Sequence, residues 1–318
     1  MYKQSTGSHS QSHPRSGSRA GPRVFGTLRG GMPYLRVGSG EPLVFIPGLL
    51  PRNEAPVGMQ RTIFAAELEP YARSRRVWWI NRRTGLAPDA TMADIARDYA
   101  EALRLQFGRP VDVMGISTGG SIALQLAADH PDVVNRLVIV SAAYRLSGPG
   151  AEAQLRVARE VQVGWPRQAS AEIMGLIGSG PRSRRVLRAV GWLIGKVMYG
   201  KATPDMIATI NAEDAFNLRD RLHEISAPTL VVGGQNDGFY SEALFTETAA
   251  LIPDGRLFLY EGKGHMSAST APGLVPEVLG FLEEEEADAA AANEAPATPV
   301  SAPVVRIRKP RKRDSVTD

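Results

Sequence analysis

The stretch Val111-Asp112-Val113-Met114-Gly115-Ile116-Ser117-Thr118-Gly119-Gly120-Ser121, continuing as Ile122-Ala123-Leu124-Gln125-Leu126-Ala127-Ala128, reads as strand, sharp turn and helix. Val111, Val113 and Ile116 form a short β-rich apolar run, and the residues after Gly119 are good helix formers that set Ile122 and Leu126 on one face. Between them stands Gly115-x-Ser117-x-Gly119. A nucleophile held on a strained strand-to-helix turn brings neighbouring backbone so close that side chains at the flanking positions would collide, which explains the two glycines. The turn presents the Ser117 hydroxyl above a sheet edge. The helix behind it aims free N–H groups, that of Thr118 first, and its positive dipole end at any oxyanion formed there.

Outward from this turn, strands and helices alternate. Val24-Leu28 and Met32-Val37 read as an antiparallel edge hairpin around Arg29-Gly30-Gly31, followed by the buried strand Leu43-Ile46. That strand ends abruptly in Pro47-Gly48-Leu49-Leu50-Pro51, where a glycine lets the backbone swing over the site, so the Leu49 N–H is a candidate second oxyanion donor. A helix over Thr62-Tyr71, the strand Val77-Ile80 and the polar loop Asn81-Gly85 come next. Thr91, with Asp94 three positions on, caps a helix carrying Ile95, Tyr99, Leu103 and Phe107 at helical spacing. After the strand Leu137-Val140 the alternation stops, and about 142–226 shows only helical patterns, which predicts an inserted helical cap with an arginine run at 182, 184, 185 and 188. The strand Pro228-Gly234 then leads to Asp237, a helix covers Ser241-Leu251, and the strand Gly255-Tyr260 leads to His265. Such alternation argues a mostly parallel sheet covered on both faces, whose ligands bind at the carboxyl ends of its strands.

Leu49, Ser117, Asp237 and His265 all fall on loops at that edge. Serine needs a base within hydrogen-bond reach, and the base needs a carboxylate to fix its tautomer and stabilise its charged form. Elimination selects the base. Of five histidines, His9 and His13 lie in a polar terminal segment, and His130 and His223 sit at the opposite edge of the sheet, leaving His265. The loop after Leu137-Val140, Ser141-Ala142-Ala143-Tyr144, holds no carboxylate, so Asp237 is without a rival as the third member.

With 318 residues and 43% hydrophobic content the chain can bury a large core. Cysteine is absent, which excludes disulfides, thiolate metal sites and a cysteine nucleophile, and no metal site is expected. No signal-like segment and no uninterrupted apolar span stand out, so a cytoplasmic protein without a membrane span is expected. The net charge of +4 is unevenly placed, because six basic residues precede the first carboxylate, Glu41. Residues 1–22 and 287–318, the latter ending in Arg306-Arg313, have too little apolar content to order themselves and read as disordered tails flanking a domain over 23–286. Their basic ends could attract nucleic acid or an acidic partner, but without aromatic interleaving a solvated tail is the simpler reading.

Gly115-Ile116-Ser117-Thr118-Gly119, the Asp237 loop and Gly264-His265 together resemble the α/β-hydrolase fold superfamily over roughly Val24 to Glu285. The resemblance implies an α/β fold with an eight-stranded sheet, a cap inserted after the sixth strand, and no cofactor. Where members of this kind often carry His-Gly, this chain has Pro47-Gly48, and Ser117 sets it apart from the relatives that use an aspartate nucleophile. The expected activity is hydrolysis of a carboxylic ester of a small apolar substrate through an acyl-enzyme. C–C bond, lactone or amide hydrolysis and acyl transfer stay open on the same residues, as does a ligand-binding protein without turnover.

Overall fold

The structure, a computed structural model, describes residues 21–292 and 305–307. The hairpin β1 (Val24–Leu28) and β2 (Met32–Val37) turns through Gly30 and Gly31, both at positive φ, and is followed by β3 (Pro42–Ile46). Helix α1 (Met59–Leu68) leads to β4 (Arg76–Ile80), α2 (Met92–Phe107) to β5 (Val111–Ile116), and α3 (Thr118–Asp129) to β6 (Val134–Val140). Four helices follow without a strand: α4 (Gly148–Gln162), α5 (Pro166–Leu176), α6 (Pro181–Tyr199) and α7 (Pro204–Asp214). The sheet resumes with β7 (Thr229–Gly234), α8 (Glu242–Leu251) and β8 (Gly255–Tyr260), and then come α9 (His265–Ser269), α10 (Leu274–Ala292) and β9 (Val305–Ile307).

The strand order is β1-β2-β4-β3-β5-β6-β7-β8-β9. Only the hairpin pairs antiparallel, β1 with β2 and β2 with β4; the other neighbours run parallel. Alternation within the strands builds two cores. Val44 and Ile46 of β3 and Leu137 and Ile139 of β6 point to the side packed by α2, α3 and α8. Leu43, Phe45, Val138 and Val140 point to the side packed by α1 and α10. A sheet buried on both faces explains why its central strands read as continuous apolar runs. Helices α4 to α7 enclose a small core around Val157, Tyr199, Met206 and Ile210.

The first eight strands are those the sequence predicts, and helices α4 to α7 stand between β6 and β7. Three boundaries differ. Helix α1 starts at Met59 and yields after Leu68 to a short 3-10 turn over Tyr71–Arg73, because Pro70 offers no N–H to continue it. Helix α10 runs to Ala292, past the expected domain end at 286, as the glutamate- and alanine-rich sequence there has high helix propensity. Val305–Ile307, inside the segment read as a disordered tail, pairs with the outer edge of β8 as a ninth strand, where β-branched residues meet an open ladder. The remainder of that tail and residues 1–20 lie outside the described residues. Among the described residues no helix is long and apolar enough to cross a membrane.

Candidate active site

Parallel strands bring the ends of β3, β5, β7 and β8 to one edge, and the four loops selected from the sequence meet there. Ser117, between β5 and α3, has φ 54°, a backbone state that L side chains rarely adopt. The turn is tight enough that a Cβ on Gly115 would lie 2.2 Å from the Gly119 carbonyl oxygen, and one on Gly119 2.1 Å from that of Ile46. Both flanking positions therefore require glycine. The strain is held in place by the sheet, since the Ser117 N–H donates to the Val140 carbonyl at 2.9 Å.

His265 opens α9, and its Nε2 lies 3.1 Å from Ser117 Oγ. Its Nδ1 lies 2.8 Å from Asp237 Oδ2. The Asp237 side chain has no exposed surface, and its Oδ1 accepts from the N–H groups of Phe239 and Tyr240 at 2.8 and 3.2 Å. Both carboxylate oxygens are thus assigned, one to the loop and one to the imidazole. The rings of Phe239 and Tyr240 stand 4.8 and 6.1 Å from that of His265 and exclude water from one side.

The loop after β3 passes over the serine, where a Cβ on Gly48 would lie 3.3 Å from Ser117 Cβ. Arg82, almost wholly buried at the end of β4, grips this loop from behind: its guanidinium donates to the carbonyls of Pro47 (3.3 Å) and Gly48 (3.0 Å) and to Asn53 Oδ1 (3.2 Å). Burial lowers the Arg82 pKa, and Tyr99, Glu213 and Asp205 oppose that shift. Because the peptide is planar and trans, fixing the Gly48 carbonyl also fixes the direction of the Leu49 N–H on the other side of the same plane. Thr118 begins α3, so its N–H is among those at a helix start with no partner inside the helix. Both expected oxyanion donors therefore lie in the loops around Ser117.

Three features are not legible in the sequence. Arg82 stands in what reads there as an ordinary polar loop. Glu213 of α7, 1% exposed, accepts from Thr118 Oγ1 (2.7 Å), Ser121 Oγ (2.9 Å), Gln154 Nε2 (3.0 Å) and the Tyr240 hydroxyl (3.2 Å), and so ties α4 and α7 to α3 and to the Asp237 loop. Burial first, then the charge of Glu213, raises the Tyr240 pKa and keeps the phenol a donor. Ser141, also at positive φ, donates its hydroxyl to the His265 carbonyl at 3.1 Å.

Over the serine lies a cavity of about 240 Å3, walled mainly by apolar side chains that include Leu49, Leu50, Trp79, Ile177, Tyr199 and Phe239. A larger hollow of about 550 Å3 at the opposite edge of the sheet is polar, lined by Glu41, Arg75, Arg109 and Asp112, and holds none of these groups. Among the described residues no three His, Asp or Glu side chains gather as a metal site.

An open parallel sheet with a serine on a strained strand-to-helix turn, a histidine and a carboxylate in series, and helices inserted between two of its strands defines a class of hydrolase-like folds. The chain belongs to the alpha/beta hydrolase family, whose model matches residues 43–277. It is 25% identical over 261 residues to the (E)-2-((N-methylformamido)methylene)succinate hydrolase of Acinetobacter baylyi, covering 77% of this chain and 91% of that one. A crystal structure of an alpha/beta hydrolase enzyme from a Medee basin deep-sea metagenome library superposes with a TM-score of 0.68 at 17% identity, covering 79% of this chain and 94% of the other. Est816, described as an N-acyl homoserine lactone degrading enzyme, superposes with a TM-score of 0.61 at 25% identity, covering 81% and 99%.

Proposed function

We propose that the chain is a serine hydrolase that cleaves a carboxylic ester of a small apolar substrate. The observation that carries this reading is the hydrogen-bonded series from Ser117 through His265 to Asp237 beneath an apolar cavity. Ser117 Oγ attacks the ester carbonyl while His265 Nε2 takes its proton, and Asp237 holds the Nδ1–H and stabilises the imidazolium. The N–H groups of Leu49 and Thr118 bind the oxyanion. His265 then returns the proton to the leaving alcohol, and the same groups activate the water that releases the acid from Ser117.

A lactone is an internal ester and would open by the same steps, a second reading favoured by the similarity to a lactone-degrading enzyme. The test is a set of p-nitrophenyl esters of two to twelve carbons and of γ-lactones with matching side chains, run on the wild-type chain and on Ser117→Ala. Turnover that peaks at short acyl chains and disappears in the variant supports the ester reading. Saturable binding of these compounds without turnover in either protein would replace it with a ligand-binding role.

A further inference from the structure

The outer face of α6 is unlike the rest of the surface. Val186, Val190, Leu193 and Val197 recur at helical spacing and form one stripe, with Val186, Leu193 and Val197 exposed to 63, 68 and 89%. The opposite face of the helix explains the arrangement. It rests on α5 through Gly191, Gly195 and Tyr199, so closely that a Cβ on Gly195 would lie 2.5 Å from Arg167 Cα. Packing that uses small residues on one side leaves the large apolar ones outside. At the C-terminal end of α6, Val197 and Met198 share a groove with Gln60 and Phe64 of α1, and Phe64 also lines the cavity over Ser117. The exposed Met59 and Ile63 of α1 extend the apolar surface beside that groove.

Charge says what covers this face. Between Ile173 and Pro204 the sequence has no carboxylate, whereas it has Arg182, Arg184, Arg185, Arg188, Lys196 and Lys201. Arg188 pairs with Glu172 and Arg184 donates to the Gly178 carbonyl. Arg182, Arg185 and Lys196 flank the stripe on one side and, among the described residues, have no ion-pair partner. A helix with an apolar stripe bordered by cations fits the interface of a bilayer that carries negative headgroups. A two-fold contact between copies would instead bring these cations against one another.

We propose that the outer face of α6, with the adjoining start of α1, docks on an anionic lipid surface and sets the mouth of the Ser117 cavity against it. The stripe enters the headgroup region and the flanking arginines and lysine meet phosphate oxygens. This docking does not depend on the hydrolase chemistry, so the two can fail separately.

The test is cosedimentation of the full chain with vesicles of phosphatidylcholine alone or mixed equally with phosphatidylglycerol, at low and high salt. The wild-type chain and Ser117→Ala are expected to pellet alike with the mixed vesicles, much less so at high salt, and not with phosphatidylcholine alone. Emission from the exposed Trp165 and Trp192 should shift to the blue on binding, since Trp78 and Trp79 are already buried. Leu193→Glu with Val197→Glu, and separately Arg182→Glu with Arg185→Glu, are exposed changes that leave the packed seam intact, and each pair should lower the bound fraction at least about tenfold. Three results would overturn the proposal: no binding to the mixed vesicles, binding that both double variants retain because the terminal tails carry it, or a dimer that the variants dissolve without any lipid binding by the wild type.

Discussion

Replacing Asp237 with Asn changes one atom of the site and should reverse its proton traffic. The two side chains have nearly the same shape, so packing survives. Asp237 Oδ1 accepts two backbone N–H groups, at 2.8 Å from Phe239 and 3.2 Å from Tyr240. In the Asp237→Asn variant that place can be filled only by the amide oxygen, because an NH2 group there would face two donors. The NH2 must then take the position of Oδ2, 2.8 Å from His265 Nδ1, and it can only donate. Nδ1 becomes an acceptor, the ring proton moves to Nε2, and Nε2 donates to Ser117 Oγ across the 3.1 Å contact instead of taking its proton. A wrong tautomer in a serine triad costs about four orders of magnitude in kcat, or about 5.5 kcal/mol at about 1.4 kcal/mol per decade. The assay is kcat for an activated ester at pH 7 to 8, with thermal melting alongside. The melting temperature should hold within about 2 °C, since no hydrogen bond is lost and a change of about 1 kcal/mol moves a domain of this size by about 2–4 °C. A folded Asp237→Asn chain within tenfold of wild-type kcat would refute the role given to this carboxylate.

Arg82→Lys keeps the charge but cannot span the Pro47 and Gly48 carbonyls and Asn53 together, so the Leu49 N–H loses its aim; kcat should fall about tenfold to a hundredfold with KM little changed, below the cost of deleting an oxyanion donor outright, and steady-state kinetics will show it. Ser117→Gly should be about 1 kcal/mol more stable than Ser117→Ala in urea unfolding, because glycine relieves the positive φ of 54° that alanine must retain. Thr91→Ala removes the side chain that accepts from the Asp94 N–H and should cost about 1 kcal/mol. The Asp94 carboxyl is held down to about 2 by hydrogen bonds from Thr91, below its ordinary 3.8. A depressed carboxyl stabilises the fold above the unfolded value and loses that contribution as the pH falls through the folded one. Wild-type and Thr91→Ala stabilities should therefore differ more at pH 6 than at pH 2, as acid denaturation curves would reveal.

The frame of the molecule was legible because its central strands carry short apolar runs, β3 stopped by Pro47 and β7 ending in Gly233-Gly234, and because Gly115-x-Ser117-x-Gly119 describes a backbone geometry as much as a chemistry. Ser117, Asp237 and His265 were expected to meet because parallel topology sends the β-to-α loops to the same edge, and the structure brings the three side chains together there. The capping box of α2 was equally open to reading, as both partners lie within one turn. What the sequence concealed depends on distant side chains. Glu213 meets Thr118 and Ser121 across more than ninety positions, and nothing in the pattern of α7 marks an inward-facing glutamate as a partner of α3. Arg82 looks like any polar residue ending a strand until the loop after β3 folds onto it. The five residues of α9 are too few to show a period, and β9 exists only because β8 leaves an edge for it to join.

The most direct test of the central claim is intact-protein mass spectrometry after treatment with a fluorophosphonate probe, which reacts with a serine only where a base has activated it. The account predicts one adduct on the wild-type chain, none on Ser117→Ala, and labelling slowed by orders of magnitude in His265→Ala. An adduct that persists in Ser117→Ala, or a wild-type chain that stays unlabelled while binding ester analogues, would contradict it.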